Sequence, residues 1–177
     1  MTKLLFGAGT SNWNSNGFLN VDIRKTKTAN VVCDLSKELS WGDDTIDEIY
    51  AESVLEHIPM GEKYFNTIRV LTEWTRVLKP CGLLTLKIPD MEALCGAYPE
   101  KSTIVISYLY GRQNYNNNIH MAGFSINSLR EIFTAINLNF FGTNKPPNMP
   151  WEIEVIGRKK TVWEIKERAK RAGRAEK

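Results

Sequence analysis

Two glycines and two aspartates follow apolar segments near the start of the chain. Gly7 and Gly9 come after KLLF, Asp22 closes FLNVD, and Asp34 comes after ANVVC. Glycines let a backbone turn sharply and approach a ligand closely. A carboxylate at the end of a second strand can accept hydrogen bonds from both ribose hydroxyls, and we expect Asp34 to accept one from an adenine amino group. The pattern therefore predicts a cleft for an adenosine-type ligand.

The glycine loop is a poor cradle for phosphate groups. GAG lacks a third glycine that opens a helix, and a pyrophosphate site needs a helix N-terminus behind the loop. The sequence also has no G-x-x-x-x-G-K-[ST] motif. A ligand with adenosine but no phosphates fits better. We therefore predict S-adenosylmethionine as cofactor, with S-adenosylhomocysteine as its product, rather than NAD or ATP.

Residues 47–90 show the elements that must position these side chains. A short strand pattern, apolar residues at helical spacing, a Pro-Cys-Gly turn and a second apolar strand follow one another there. Over the whole chain we predict seven strands, at residues 3–6, 18–23, 29–33, 46–51, 83–88, 138–141 and 151–157. Helices are predicted at residues 62–78, 90–98, 104–110 and 125–136.

This alternation of short strands and helices predicts an α/β fold: a three-layer sandwich around a mostly parallel, Rossmann-like sheet. The last two strands are consecutive and predict an antiparallel hairpin at the C-terminal edge. Only TSNWNSN separates Gly9 from Gly17, and an ordinary helix takes about 11 residues. We therefore expect the first crossover helix to be short or absent, which leaves one face of the sheet thinly covered.

Composition and charge favour one soluble domain with a basic tail. The 177 residues are 42% hydrophobic and 24% charged, and we assign residues 1–160 to the domain and residues 161–177 to the tail. The tail holds six Lys/Arg and three Asp/Glu, which accounts for the net charge of +3. It is either a solvated helical or frayed end or a contact for nucleic acid or an acidic partner.

The cysteine and histidine content and the hydropathy of the chain argue against several classes of function. Three cysteines without a C-x-x-C pair and only two histidines predict no zinc site, and we assign no metal ligands. A reducing, cytoplasmic location follows from the same cysteine usage. No apolar run approaches the ~20 residues of a membrane span, so we expect no membrane partner. The oligomeric state is not predicted.

Six segments of the sequence resemble class I S-adenosylmethionine-dependent methyltransferases, in particular small bacterial and phage-type members. They are LLFGAG, GFLNVDI, VVCDL, DEIYAESVLEHIP, EWTRVLKPCGLLTLKIPD and HMAGFSINSLREIF. The strongest signal is LEHI followed by RVLKP-x-G. The resemblance implies the methyltransferase form of the Rossmann-like sheet.

The resemblance also implies which residues bind the cofactor. Gly7, Ala8 and Gly9 would line its methionine and ribose end, and Asp22 would hold the ribose hydroxyls. Phe6 and Ala8 depart from the family pattern, as does the cysteine of the Pro-Cys-Gly turn, without removing an expected cofactor contact.

The implied contacts continue at the next two strand ends. Asp34, together with the backbone at Leu35, would hold the adenine. Ala51, Glu52 and Ser53 would border the sulfonium and the methyl acceptor.

Methyl transfer needs few reacting side chains, because the protein mainly holds donor and acceptor in line. A general base is needed only if the acceptor loses a proton during attack. Our candidate catalytic residues are His120 and Glu52. Tyr115 and Asn118 share a polar loop with His120 and can add acceptor contacts.

Glu56 and His57 also suggest an acid–base pair. Because adjacent residues on a helix point in different directions, we expect them not to face one target and assign them a structural role.

We therefore expect a methyltransferase that acts on an unidentified small or medium acceptor, free or carried on a polymer. Substrate-facing segments are expected at residues 98–123 and 145–150. One alternative is a catalytically silent, methyltransferase-like module that binds a partner. Another is a nucleic-acid methyltransferase that uses the basic tail. It is not favoured, because AESV replaces an N/D-P-P-Y/F-type loop and the body carries no net charge.

Overall fold

The computed structural model describes residues 1–11, 16–116 and 118–175. One seven-stranded sheet has the strand order β3-β2-β1-β4-β5-β7-β6. The strands are β1 (Lys3–Phe6), β2 (Phe18–Asp22), β3 (Val31–Val32), β4 (Ile46–Glu52), β5 (Leu78–Pro89), β6 (Leu138–Asn144) and β7 (Glu152–Lys159). The α-helices are α1 (Phe65–Val77), α2 (Met91–Ala97), α3 (Ser102–Tyr110), α4 (Ile126–Ala135) and α5 (Val162–Ala175).

The first five strands are parallel, and the last two form the predicted antiparallel edge. In β1, Phe6 lies opposite Val21 of β2 and Ala51 of β4. β7 pairs antiparallel with both β5 and β6. The predicted α/β, Rossmann-like fold with a C-terminal edge hairpin is therefore confirmed. The carboxyl ends of β1, β2 and β4 lie side by side, where open α/β sheets bind ligands.

The two faces of the sheet are covered unequally near β1. Side chains alternate along a strand, so Leu4 and Phe6 join the large core cluster while Leu5 faces the other side. On the large side, Trp74 of α1 is fully buried and meets Phe6 edge-on at 5.0 Å between ring centroids. On the other side, Leu5 packs in a small cluster with Ala8, Phe18 and Tyr50.

Two local predictions about β5 and α1 are corrected. The Pro-Cys-Gly segment is an irregular part of β5 and not a turn before it. Cys81 has φ +66°, and the pairing register shifts between Ile46 and Glu48 of the neighbouring strand. The helix predicted from residue 62 begins with a 3-10 turn, Glu62–Tyr64, which a positive φ at Tyr64 separates from α1.

The C-terminal tail is helical. Thr161 and Glu164 cap α5 reciprocally: Thr161 N donates to Glu164 Oε2 (2.7 Å) and Glu164 N donates to Thr161 Oγ1 (3.2 Å). The expectation of a short or missing first crossover helix falls mainly on residues 12–15, which lie outside the described residues. Among the helices that the structure describes, none has the length and apolar character needed to cross a membrane.

Candidate active site

A cleft of about 610 Å³ opens at the carboxyl ends of β1, β2 and β4. Its walls come from the glycine loop after β1, the ends of β2 and β4, a 3-10 turn at Leu55–His57, and residues of α3 and the polar loop that follows it. A volume of this size falls within the range of cofactor and substrate sites in proteins. Seven of the predicted cofactor-binding residues besides Asp22 line it: Gly7, Ala8, Gly9, Asp34, Leu35, Glu52 and Ser53.

Asp22 fixes the glycine loop in place. Gly7 N and Ala8 N donate to Val21 O (3.0 and 3.3 Å), and Gly9 N donates to Asp22 Oδ2 at 2.7 Å. The carboxylate is only 3% exposed and lines the cleft. The loop conformation therefore depends on the residue that is predicted to bind the ribose.

Gly7 and Gly9 are required for different reasons. Both have positive φ, +73° and +56°. A Cβ at Gly7 would lie 2.3 Å from Val54 Cγ2 and 2.6 Å from Glu52 O, so packing against the end of β4 demands glycine there. Among the described residues, a Cβ at Gly9 would meet no atom closer than 3.8 Å. Gly9 therefore leaves space in the cleft.

Arg24 connects Asp22 to the polar loop, and sequence reasoning did not identify it. Asp22 Oδ1 accepts from Arg24 N (2.8 Å) and from Arg24 Nε (3.2 Å). The guanidinium lies 4.3 Å from the centroid of the Tyr115 ring, a cation–π contact. Asp22 thus accepts three hydrogen bonds from the described residues, of roughly four that a carboxylate can accept. The signal in the sequence was a cation two residues after the strand-end aspartate.

One carboxylate oxygen of Asp34 caps a turn, and the other is available as a hydrogen-bond acceptor among the described residues. Its Oδ1 accepts from Ser36 N (2.9 Å) and Ser36 Oγ (2.6 Å). Its Oδ2 makes no hydrogen bond to the described part of the chain. Burial acts to raise the pKa of Asp34, but the hydrogen bonds from Ser36 and the nearby charges of Lys37 and Arg69 together hold the pKa below its usual value. The adjacent peptide is fixed because Leu35 O accepts from Trp74 Nε1 at 2.9 Å.

The end of β4 brings two of its three predicted residues to the cleft. Glu52 and Ser53 line it. Ala51 does not: it is 2% exposed and packs in the large core cluster. The carboxylate of Glu52 accepts from Lys87 Nζ at 2.8 Å, and Lys87 also lies 3.2 Å from Glu152.

The two candidate general bases differ in whether other residues already hold the atoms that would accept a proton. Glu52 is held by Lys87. His120 has its Nδ1 2.5 Å from Tyr108 O, and because a carbonyl oxygen only accepts, Nδ1 carries the hydrogen. Burial lowers the pKa of His120, so the ring is neutral at pH 7 with a lone pair on Nε2. The geometry favours His120.

Glu56 and His57 face the same target, so the expectation that they diverge is wrong. Both line the cleft, and an oxygen of Glu56 and a ring nitrogen from each of His57 and His120 all lie within 4.8 Å of one another. The argument assumed an α-helix, whereas the segment is a single 3-10 turn. Met121 N donates to Glu56 O at 2.7 Å and thereby brings the loop with His120 against this turn.

Glu56 is the most strongly perturbed acid in the cleft. The residue is 1% exposed, and burial raises its pKa to about 8. Its Oε2 has no hydrogen-bond partner among the described residues. The carboxyl group is therefore mostly protonated at pH 7, a state that burial favours over the ion.

One of the two segments predicted to face the substrate lines the cleft. Tyr115 and Asn118 line the cleft together with Tyr108, Arg112 and Met121. Residues 145–150 do not line it, and Lys145 instead pairs with Asp90.

Comparison with known proteins agrees with this architecture. The family model described as "Methyltransferase domain" matches residues 14–86, which is less than half of the chain. No protein of curated function matches the chain in sequence.

Solved structures similar to this chain cover nearly all of it at low identity. A methyltransferase of Thermotoga maritima, described as a possible histamine N-methyltransferase, is 17% identical with a TM-score of 0.64, over 90% of this chain and 82% of that one. A methyltransferase of Methanosarcina mazei is 15% identical with a TM-score of 0.60, over 90% and 92%. A Burkholderia thailandensis 1,6-didemethyltoxoflavin-N1-methyltransferase is 13% identical with a TM-score of 0.60, over 90% and 71%.

The fold is thus that of class I S-adenosylmethionine-dependent methyltransferases. The domain match over residues 14–86, which begins after β1, and the fold over most of the chain confirm the resemblance inferred from the sequence motifs.

The buried carboxyl of Glu56 predicts a specific pH dependence of stability. Its pKa is about 8 in the folded protein and about 4.3 in an unfolded chain. Between these values the folded state keeps a proton that the unfolded state releases, so wild-type stability falls as pH rises through this window. Gln cannot ionise. The unfolding free energy of Glu56→Gln minus that of wild type should therefore increase with pH, at up to about 1.4 kcal/mol per pH unit.

Urea unfolding from pH 5 to 8, followed by tryptophan fluorescence with EDTA present, measures this difference. The exposed Glu38→Gln variant is the control and should give a flat difference. A difference for Glu56→Gln that stays constant or decreases with pH would show that Glu56 ionises normally in the folded protein.

Proposed function

We propose that this protein binds S-adenosylmethionine in the cleft and transfers its methyl group to a small or medium acceptor. The observation that carries the proposal is the buried carboxylate of Asp22 at the end of β2, bonded to Gly9 N in a methyltransferase fold. A ribose placed beside Asp22 would lie directly against the glycine loop.

The residues of the cleft fit the adenosine part of the cofactor. Asp22 has about one acceptor position left beside its three hydrogen bonds. The exposed guanidinium of Arg24 can release a second by moving away from Oδ1. At the next strand end, Asp34 Oδ2 is available for the adenine amino group. Gly9 leaves the space that the methionine and ribose portion requires.

S-adenosylmethionine supplies a methyl group that its sulfonium already activates. The chain then has to hold the acceptor in line with that group. Tyr108 of α3 and the loop residues Asn118 and Met121 line the part of the cleft that we assign to the acceptor. If the acceptor must lose a proton, His120 Nε2 is the base that the geometry favours.

Two structural neighbours support a small acceptor. The Burkholderia thailandensis structure contains 1,6-didemethyltoxoflavin together with S-adenosylhomocysteine. The Thermotoga maritima protein is described as a possible histamine N-methyltransferase. Both acceptors are small molecules, and the fold of these proteins extends over 90% of this chain.

Substitution of Asp22 should weaken cofactor binding. If the charged carboxylate accepts from the ribose, Asp22→Asn should cost about 1.5–3 kcal/mol of binding free energy, which is roughly a 10- to 150-fold increase in Kd. Isothermal titration calorimetry with S-adenosylhomocysteine measures this change.

Glu38→Gln is the matched control, because Glu38 is exposed and does not line the cleft. Its Kd should equal that of wild type. Circular dichroism and thermal unfolding establish that Asp22→Asn retains its fold. Equal affinities of wild type and folded Asp22→Asn would remove Asp22 from the site, and no binding at millimolar ligand would contradict the cofactor assignment.

Methyl transfer should be detectable as release of S-adenosylhomocysteine that depends on an acceptor. We expect a panel of small amines and hydroxyl compounds to include at least one acceptor that raises release above the rate without acceptor. Asp22→Asn should lower this rate at subsaturating cofactor. Tight cofactor binding without transfer to any member of the panel would instead favour the catalytically silent binding module.

A further inference from the structure

Glu56, His57 and His120 form a cluster to which the proposed function assigns no contact with the cofactor. One potential ligand atom from each residue lies within 4.8 Å of the other two. The rings of His57 and His120 meet edge-on with 4.8 Å between centroids. All three residues line the cleft. Two imidazoles and one carboxylate are a frequent ligand set for divalent transition metals.

Both histidines are oriented as metal-binding histidines usually are. His57 Nδ1 lies 3.0 Å from Ile119 O, and His120 Nδ1 lies 2.5 Å from Tyr108 O. Since carbonyl oxygens only accept, both Nδ1 atoms carry hydrogen and both Nε2 atoms carry a lone pair. A metal-ligating histidine typically donates its other N–H to a backbone carbonyl or carboxylate, which fixes the ring.

The carboxyl group of Glu56 is an independent indication of a ligand. The residue is 1% exposed, and its Oε2 has no hydrogen-bond partner in the described part of the chain. A buried polar atom without a partner is costly and calls for an explanation. A cation bound between Glu56 and the two histidines would supply the missing partner, and it would displace the carboxyl proton of Glu56, which is released to solvent.

We propose that Glu56, His57 and His120 bind one divalent transition-metal ion in the cleft. Ligand atoms around a tetrahedral zinc ion lie roughly 3.4 Å apart, given metal–ligand distances of about 2.1 Å. The present separations of up to 4.8 Å therefore require pairs of ligand atoms to approach by up to about 1.4 Å. Three protein ligands leave at least one coordination position open, as in catalytic metal sites.

The sequence argument against metal was based on three cysteines without a C-x-x-C pair and on the small number of histidines. In the folded protein, however, the polar loop places His120 against the turn that holds Glu56 and His57, so that both histidines contribute to one site. A bound ion would occupy the Nε2 lone pair of His120. His120 therefore cannot bind the ion and act as a general base at the same time. The open coordination position would be available to an oxygen or nitrogen of the methyl acceptor, a consequence that rests on the proposed function.

Cobalt(II) is the probe for this site, because its visible absorption reports the number and type of its ligands. The protein is first treated with EDTA and then titrated with Co²⁺, followed by competition with Zn²⁺. We expect one Co²⁺ per chain, with a spectrum of nitrogen and oxygen ligands and no thiolate band. Glu56→Gln, His57→Gln and His120→Gln should each weaken binding by at least 10-fold, whereas Glu38→Gln should not.

Three outcomes would overturn the metal site: no Co²⁺ binding, equal affinities for wild type and the ligand variants, or a thiolate band from the free cysteines. Glu56→Gln preserves the size of the side chain, and the Co²⁺ affinity of variants is compared only where circular dichroism shows the native fold. Binding of S-adenosylhomocysteine in EDTA is measured in parallel. Binding of S-adenosylhomocysteine without binding of Co²⁺ would overturn this inference and leave the proposed function intact. Binding of Co²⁺ without binding of S-adenosylhomocysteine would overturn the proposed function.

Discussion

The cleft depends on the parallel, in-register pairing of β1 with β2 and β4. Phe6 lies opposite both Val21 and Ala51, so the three strands end at the same level. The next residues along the chain, Gly7, Asp22 and Glu52, are thereby brought to one edge of the sheet although they are far apart in sequence. A shift of one residue in either pairing would turn the side chains to the opposite face.

Backbone and side chains then convert this strand edge into a binding surface. The carboxylate of Asp22 holds the glycine loop through Gly9 N and holds Arg24 above the cleft. Beside Asp34, the fully buried Trp74 donates to Leu35 O and so connects the core to the loop after β3. The same interactions that stabilise the fold therefore position the hydrogen-bond acceptors that line the cleft.

Local sequence patterns predicted the elements, and most of the residues that they assigned to the cofactor line the cleft. Short apolar runs between turn residues indicated the strands, and parallel topology then placed Gly9, Asp22 and Asp34 together without knowledge of side-chain contacts. Patterns of this kind do not show which face a residue takes at a strand end. Ala51 was consequently assigned to the cleft, whereas its methyl group packs in the core.

The side of the cleft formed by the polar loop was harder to predict, because it depends on contacts across long sequence separations. The hydrogen bond from Met121 N to Glu56 O and that between His57 and Ile119 O bring a distant loop onto the 3-10 turn. No periodicity in the sequence reports such contacts. Arg24 was missed for a similar reason, since its role appears only when Tyr115 is placed against it.

The most direct measurement of the central claim is a crystal structure of the protein grown with S-adenosylhomocysteine. The account predicts ribose hydroxyls within hydrogen-bond distance of Asp22, adenine beside Asp34 and Leu35, and the sulfur directed toward the side of the cleft that carries His120. A ligand bound at saturating concentration elsewhere on the molecule, or within the cleft with its ribose away from Asp22, would contradict it.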